Sequence, residues 1–186
     1  GSLWRWGKRG LCATATTVVA PKRVTLPRKA ISVALGNHHV LVLLDNNRVY
    51  TAGSNVYGEL GQGGVAVKAG GNKTQEGPCS TYPKFRPVPL AFRDGSAMVV
   101  ESIAASSGAS FAVTKNGKVF AWGRNHHGEL GSGKKLNSTV AEPQEVVFEG
   151  EGGKEVAVIE AGEHHVVVLM KDGAVWGWGH NTEGQV

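Results

Sequence analysis

The chain has 186 residues, of which 41% are hydrophobic and 19% charged, and it carries a formal net charge of +5. These values are typical of a folded protein and exclude a chain too polar to bury a core. The longest uninterrupted apolar runs, Val40–Leu44 and Val166–Met170, have five residues each, whereas a membrane-spanning helix needs roughly 18. We therefore expect no membrane-spanning segment and no membrane partner.

Cysteine usage predicts the compartment. The chain contains only Cys12 and Cys79 and opens without a hydrophobic leader, so we expect no disulfide framework. Both thiols should be reduced inside a cell, in the nucleus or the cytoplasm. A mitochondrial location stays open because the first residues contain Arg and no acid.

The first thirty residues form a basic arm. They contain seven Lys and Arg and no acid, whereas residues 141–163 contain seven Glu against the single Lys154. Clustered cations contact phosphates and make binding salt-sensitive. We therefore predict a nucleic-acid-binding set, with an ordinary solvated surface as the alternative. The set consists of Arg5, Lys8, Arg9, Lys22 and Arg23.

Pairs of short apolar runs then recur along the chain. The first pair is Ile31–Leu35 and Val40–Leu44, and equivalent pairs follow near residues 100 and 160. Turns rich in Asn, Asp and Gly, such as Asp45-Asn46-Asn47, follow the second run of each pair, and these residues tolerate the positive φ of hairpin turns. No window has a helical period. The chain is therefore predicted to be all-β, with short antiparallel strands.

A longer motif follows each pair of runs. Its copies are Val49–Gly61, Val119–Gly131 and Val175–Val186, and Leu3–Gly7 is a shortened fourth copy. The repeated glycines Gly7, Gly53, Gly123 and Gly179 are 46, 70 and 56 residues apart. A period near 50 with three or four strands per unit predicts β-propeller blades. We expect one propeller segment, 1–186, with repeats at roughly 8–53, 54–123 and 124–179.

The longest period contains an insertion, which we place at residues 63–83. A loop of about 20 residues without secondary structure is uncommon unless it is functional or disordered. Four cations, Lys68, Lys73, Lys84 and Arg86, stand against Glu76 alone in this region. We predict that they bind a partner with an acidic surface or a phosphate backbone.

The combination of a strand, Gly-x-x-His, a second strand and Val-aromatic-x-Trp-Gly-x-Asn-x-x-Gly-x-Leu-Gly resembles the repeat of the regulator of chromosome condensation family. Gly36–His39, Gly162–His165 and Phe111–Gly123 carry the resemblance, while residues 106–110 and Ala52 depart from it. The resemblance implies a ring of about seven blades. Three full repeats and one extra strand leave that ring incomplete, so we expect further blades or another chain to complete it.

The repeat also predicts structural residues. Gly53, Gly123 and Gly179 end a strand where close backbone packing or positive φ is expected. Trp122 and Trp178 occupy the same strand position in successive repeats, which favours a core between blades over base stacking.

Three histidine doublets raise the question of a metal site. They are His38-His39, His126-His127 and His164-His165. Adjacent strand residues point to opposite faces, and doublets in different blades need not converge, so we expect no metal. No Gly-x-Ser-x-Gly elbow occurs and no acid and base can be tied to a nucleophile. We therefore expect no catalytic residues and no cofactor.

Two functions remain open. The first is a non-catalytic scaffold that binds proteins, chromatin or ribonucleoproteins. The second, implied by the resemblance, is guanine-nucleotide exchange on a Ran-like small GTPase, in which the factor stabilises the nucleotide-free GTPase. His39, in a Gly-x-x-His loop, is the residue that we place on a partner-facing rim. We favour the scaffold.

Overall fold

The computed structural model describes residues 2–7, 18–63, 81–91, 95–133, 138–149 and 155–186. Within these ranges all thirteen regular elements are strands, which confirms the all-β prediction. None of these described residues forms a helix of the length and apolarity needed to cross a membrane. The strands are β1 (Leu3–Gly7), β2 (Val18–Val24), β3 (Ala30–Leu35), β4 (His39–Leu44), β5 (Val49–Ser54), β6 (Thr81–Pro87), β7 (Val100–Ala105), β8 (Ala109–Thr114), β9 (Val119–Asn125), β10 (Ser138–Val146), β11 (Val156–Ala161), β12 (His165–Met170) and β13 (Val175–Gly179).

Consecutive strands pair antiparallel into four separate sheets. Strands β3–β6 form the first blade, β7–β10 the second, and β11–β13 the third. The predicted extra strand β1 has a partner, because Leu3 pairs with Val24 and Arg5 with Lys22 on β2. The sheets do not close into a ring, in agreement with the predicted partial propeller.

The blades begin within one residue of the start of the first apolar run of each pair, at Ala30, Val100 and Val156. The C-terminal bound of the predicted insertion, 63–83, lies too late in the chain. Thr81 pairs with Ser54 and Tyr82 with Gly53, so residues 81–83 belong to β6. Residues 64–80, including Lys68 and Lys73, lie outside the described residues.

Two apolar cores lie between the blades. Strand alternation sends Phe111 and Val113 of β8 toward the third blade and Ala112 toward the first. Strand β8, an inner strand of the second blade, is therefore buried on both faces. One core joins the first and second blades around Leu41 and Trp122. The other core joins the second and third blades.

Each outer strand combines a proline with charged residues. Pro21 lies in β2, Pro83 in β6 and Pro143 in β10, and the last of these falls in a register shift between Val140 and Gln144. Proline cannot donate to a ladder and charges oppose strand addition. The outer edges are thus poorly suited to pairing with another strand.

Candidate functional site

Loops of all three blades meet along one edge of the arc, which we call the loop rim. It comprises residues 36–38 and 55–61 of the first blade, 106–108 and 125–131 of the second, and 162–164 and 180–186 of the third. Backbone hydrogen bonds join these loops across the blades. Asn37 N donates to Ser107 O at 3.4 Å, and Ser107 N donates to Glu163 O at 3.0 Å. The rim is therefore one continuous surface.

A repeated asparagine shapes the loop that follows the third strand of each blade. The Oδ1 atom of Asn55 accepts the amide of Leu60 at 3.0 Å, and Asn125 does the same for Leu130 at 3.2 Å. Asn181 repeats this bond with Val186 N at 3.0 Å. The recurring Asn is thus a loop-forming residue.

A carboxylate or amide at a second position completes the loop. Glu59 Oε2 accepts Tyr57 N at 2.7 Å, Glu129 Oε2 accepts His127 N at 2.7 Å, and Gln185 Oε1 accepts Glu183 N at 3.0 Å. Burial raises the pKa of Glu59, and hydrogen bonds from its surroundings oppose that shift. Because Gln185 makes the same bond without charge, the loop requires an acceptor rather than an anion.

Tryptophan side chains fix the second and third blades to the rim loop of the preceding blade. Trp122 Nε1 donates to Glu59 O at 2.8 Å, and Trp178 Nε1 donates to Glu129 O at 2.7 Å. Gly61 lets the Trp122 indole approach, since a Cβ there would lie 2.7 Å from Nε1. The indole rings therefore set the position of the rim loops as well as filling the core.

The repeat glycines lie at the end of β13 and within the last three residues of β5 and β9, in a left-handed conformation. Their φ angles are 119° at Gly53, 104° at Gly123 and 107° at Gly179. A Cβ at Gly123 would clash with the carbonyl oxygen of Gly108. These positions need the conformational freedom of glycine.

His39 lies between blades rather than on an exposed rim. Its side chain is 3% exposed, and Nε2 lies 2.9 Å from Ser110 Oγ, which donates its hydrogen to Glu59 O at 2.8 Å. Burial lowers the pKa of His39 to about 4. This corrects its assignment as a partner-contacting residue, because a ring enclosed by two blades cannot reach a partner.

The other predicted binding residues that the structure describes lie apart from the loop rim, on β1, β2 and β6. Arg5 lies directly opposite Lys22, and Trp4 lies opposite Arg23; all four side chains are exposed. Lys84 and Arg86 are exposed on β6, the outer strand of the first blade. Lys8 and Arg9 fall outside the described residues, as do Lys68 and Lys73.

Histidines of the second and third blades converge on the rim, although doublets in different blades need not do so. The ring centroids of His127 and His180 are 4.7 Å apart, and those of His127 and His164 are 5.2 Å apart. They meet because the loop after the third strand of one blade lies against the first loop of the next blade. In the described part of the chain, no three His, Cys, Asp or Glu side chains are placed to hold a metal ion.

An arginine and a buried carboxylate complete this group. Arg124 Nε lies 3.7 Å from Glu129 Oε1, and His164 Nδ1 lies 3.8 Å from the same oxygen. The Arg124 guanidinium lies 5.5 Å from the centre of the Tyr57 ring, which contacts His126 at 5.4 Å. We call the charged and titratable members the histidine patch: Arg124, His126, His127, Glu129, Glu163, His164 and His180.

The environment of the patch disfavours protonation of two of its imidazoles. Burial is the first cause of the lowered pKa of His126 and His164, and the nearby Arg124 charge is the second. Glu129 and Glu163 oppose the shift at His164. The sequence showed the doublets, but only the stacking order of the loops shows which histidines become neighbours.

Comparison with known proteins agrees with this architecture. One sequence profile of the regulator of chromosome condensation (RCC1) repeat matches residues 116–169, and a second matches 30–59, 100–129 and 156–185. Together the matches cover more than half of the chain. The chain belongs to the regulator of chromosome condensation repeat family. The RCC1-repeat matches at 30, 100 and 156 start at the first strand of each blade.

Two relatives show how little of a longer protein this RCC1-repeat segment spans. The chain is 31% identical to the E3 ubiquitin-protein ligase HERC2 of Mus musculus over 194 residues, covering 100% of this chain and 4% of HERC2. It is 27% identical to the ultraviolet-B receptor UVR8 of Arabidopsis thaliana, covering 92% of this chain and 45% of UVR8.

Solved structures share the RCC1-repeat fold. Yeast RCC1 (Prp20) bound to Kap60 superposes with a TM-score of 0.73 at 23% identity, covering 98% of this chain and 38% of Prp20. Prp20p from Saccharomyces cerevisiae, solved with a study of its binding to Gsp1p and histones, gives a TM-score of 0.69 at 22% identity, covering 97% of this chain and 40% of Prp20p. At these identities the likeness concerns the fold.

Proposed function

We propose that this RCC1-repeat segment is a non-catalytic scaffold that binds other proteins through its loop rim. The observation that carries the proposal is the continuity of the rim, in which loops of three blades are joined by backbone hydrogen bonds. Partly exposed side chains, among them Tyr57, His126 and His127, project from loops that Asn and Glu side chains hold in place. A pre-ordered surface loses little entropy when a partner binds.

The solved relatives support protein partners in general. Prp20 was crystallised with Kap60, and Prp20p was studied for binding to Gsp1p and histones. The outer edges of the blades favour contact through side chains, because their prolines and charges oppose strand addition. The rim offers such side chains on fixed loops.

Photo-crosslinking tests the proposal. His126→p-benzoylphenylalanine places a reactive ring on the rim, and Lys115→p-benzoylphenylalanine places it in the turn at the opposite edge. In the full-length protein in cells, we expect defined protein adducts from position 126 and few from position 115. Equal adducts from both positions, or none from 126, would contradict a rim-directed scaffold.

Nucleotide exchange on a Ran-like small GTPase is the second candidate. It is supported by the fold shared with Prp20p, a protein studied for binding to Gsp1p. An exchange factor acts by stabilising the nucleotide-free GTPase, so it needs a rigid surface rather than a catalytic acid or base. Release of labelled GDP from Ran should accelerate in the presence of the full-length protein and slow again with Tyr57→Ala. An unchanged release rate would exclude this function.

A further inference from the structure

The charge of the histidine patch depends on its imidazoles. With neutral imidazoles, one arginine and two glutamates give a formal charge of −1, and protonation of all four imidazoles changes it to +3. Glu129 offers little negative charge to solvent, because its side chain is 1% exposed and faces Arg124 and His164. Glu163 is 71% exposed and lies 3.7 Å from His164 Nε2. Protonation of all four imidazoles would therefore reverse the formal sign of this part of the rim.

We propose that the histidine patch is a proton-gated docking surface that binds an acidic peptide segment when the imidazoles are protonated. The inference rests on the proposed scaffold function and adds the chemistry of the partner and its regulation. The imidazoles of His127, His164 and His180 contact one another, since the ring centroids of His164 and His180 are also only 6.3 Å apart. Neighbouring imidazolium groups repel, and a bound carboxylate relieves that repulsion.

Proton and peptide binding are coupled. Burial and Arg124 lower the pKa of His126 and His164 below the ordinary value of about 6.5. A carboxylate placed between the rings raises the same pKa values, so the peptide promotes proton uptake as protons promote peptide binding. The Tyr57 ring also contacts His126. Proton uptake at His126 and His164 therefore occurs at a lower pH than at an ordinary imidazole, and a bound carboxylate raises that pH.

The size of the patch favours a peptide over nucleic acid. Its cations occupy adjacent loops of two blades, whereas affinity for nucleic acid grows with the number of phosphates contacted along an extended track.

Fluorescence anisotropy of the full chain with a labelled hexa-aspartate peptide tests the proposal. At both about pH 7.5 and about pH 5.5 the peptide stays ionised, whereas the imidazoles are more protonated at the lower pH. We expect roughly tenfold tighter binding at the lower pH, a typical coupling between two ligands. The double variant His127→Asn, His164→Asn should lose this pH dependence. An imidazole NMR titration should show the pKa of His164 rising when peptide is added.

His38→Asn is the matched control, because His38 occupies the position of His164 in the first blade and lies outside the patch. It should keep the tenfold change. Thermal melts at both pH values establish that each variant is folded at the temperature of measurement. Equal affinity at both pH values, or a double variant that keeps the pH dependence, overturns the proton gate. The rim crosslinks at position 126 would still test the scaffold separately.

A single-stranded RNA oligonucleotide serves as the competing probe. Single variants at His127 and His164 show which ring carries the effect. RNA binding that is gated by pH and lost in the double variant would contradict the choice of an acidic peptide. Gated binding of the peptide, without such binding of the RNA, supports the acidic peptide as the ligand.

Discussion

His39 joins the first two blades through a hydroxyl and a loop carbonyl. The Ser110 hydrogen is donated to Glu59 O, so His39 Nε2 is the donor in its bond to Ser110 Oγ. This bond uses neutral imidazole. In the third blade, His165 occupies the same position but is partly exposed, because no described residue supplies the facing hydroxyl there.

The pKa of His39 predicts a loss of stability in acid. The folded pKa is about 4 and the unfolded value about 6.5, so the unfolded chain takes up the proton first. The contribution is complete above about pH 6.5 and decreases by about 3 kcal/mol as the pH falls to about 4. Urea unfolding across this range should show it. His39→Asn should flatten the profile and His38→Asn should not; matching profiles for wild type and His39→Asn would contradict the assignment.

Gly123 provides a test of backbone strain. Gly123→Val introduces a Cβ against the carbonyl of Gly108 at a φ of 104°, so we expect unfolding to become easier by roughly 2 kcal/mol or more. Gly133→Ala is the control, since Gly133 also has positive φ but no atom within 4 Å of the added Cβ. It should cost only about 1 kcal/mol. Equal losses in thermal melts would show that the Gly108 contact is unimportant.

At the scale of elements, β6 redefines the insertion. Because Thr81 and Tyr82 pair with β5, a deletion must stop at residue 80. Replacing residues 64–80 by a short Gly-Ser link should change the melting temperature little, since loop length alters closure entropy slowly. We expect it to reduce partner capture in a pull-down, because Lys68 and Lys73 are removed. Capture that is unchanged would contradict a binding role for the insertion, and a collapsed melt would make it structural.

The β1–β2 ribbon is the second element with a testable role. Arg5 and Lys22 lie opposite each other, and like charges in that position oppose each other unless an anion is bound. If the ribbon binds single-stranded RNA, Arg5→Ala, Lys22→Ala and Arg23→Ala together should flatten the slope of log affinity against log salt by about 2. Lys115→Ala should leave the slope unchanged. Absence of RNA binding, or a slope that the triple variant retains, would assign the ribbon to solvated surface.

Equivalent side chains of the three blades differ in their exposed fraction, and this difference shows that the arc of blades is open. Leu43 and Val113 are each 1% exposed, whereas Leu169 at the same position in the third blade is 40% exposed. Val119 is fully buried and its counterpart Val175 is 66% exposed. The third blade thus exposes an apolar face. The equivalent face of the second blade is covered by the third blade.

Sequence patterns predict what depends on neighbours in the chain. The repeat spacing was enough to predict the blades. Trp122 was enough to predict a core between them. The end of the insertion was missed because Pro83 and the charges of β6 do not look like a strand. The enclosed ring of His39 and the meeting of His127 with His164 depend on how blades stack, which a single repeat does not contain.

Hydrogen exchange on the full-length protein with its captured partner tests the rim most directly. We expect slower exchange at amides of loops 125–131 and 162–164 on binding, with turns 45–48 and 115–118 at the opposite edge unchanged. Protection confined to the opposite edge or to the outer strands, with the rim loops exchanging as in the free protein, would show that partners do not bind through the loop rim.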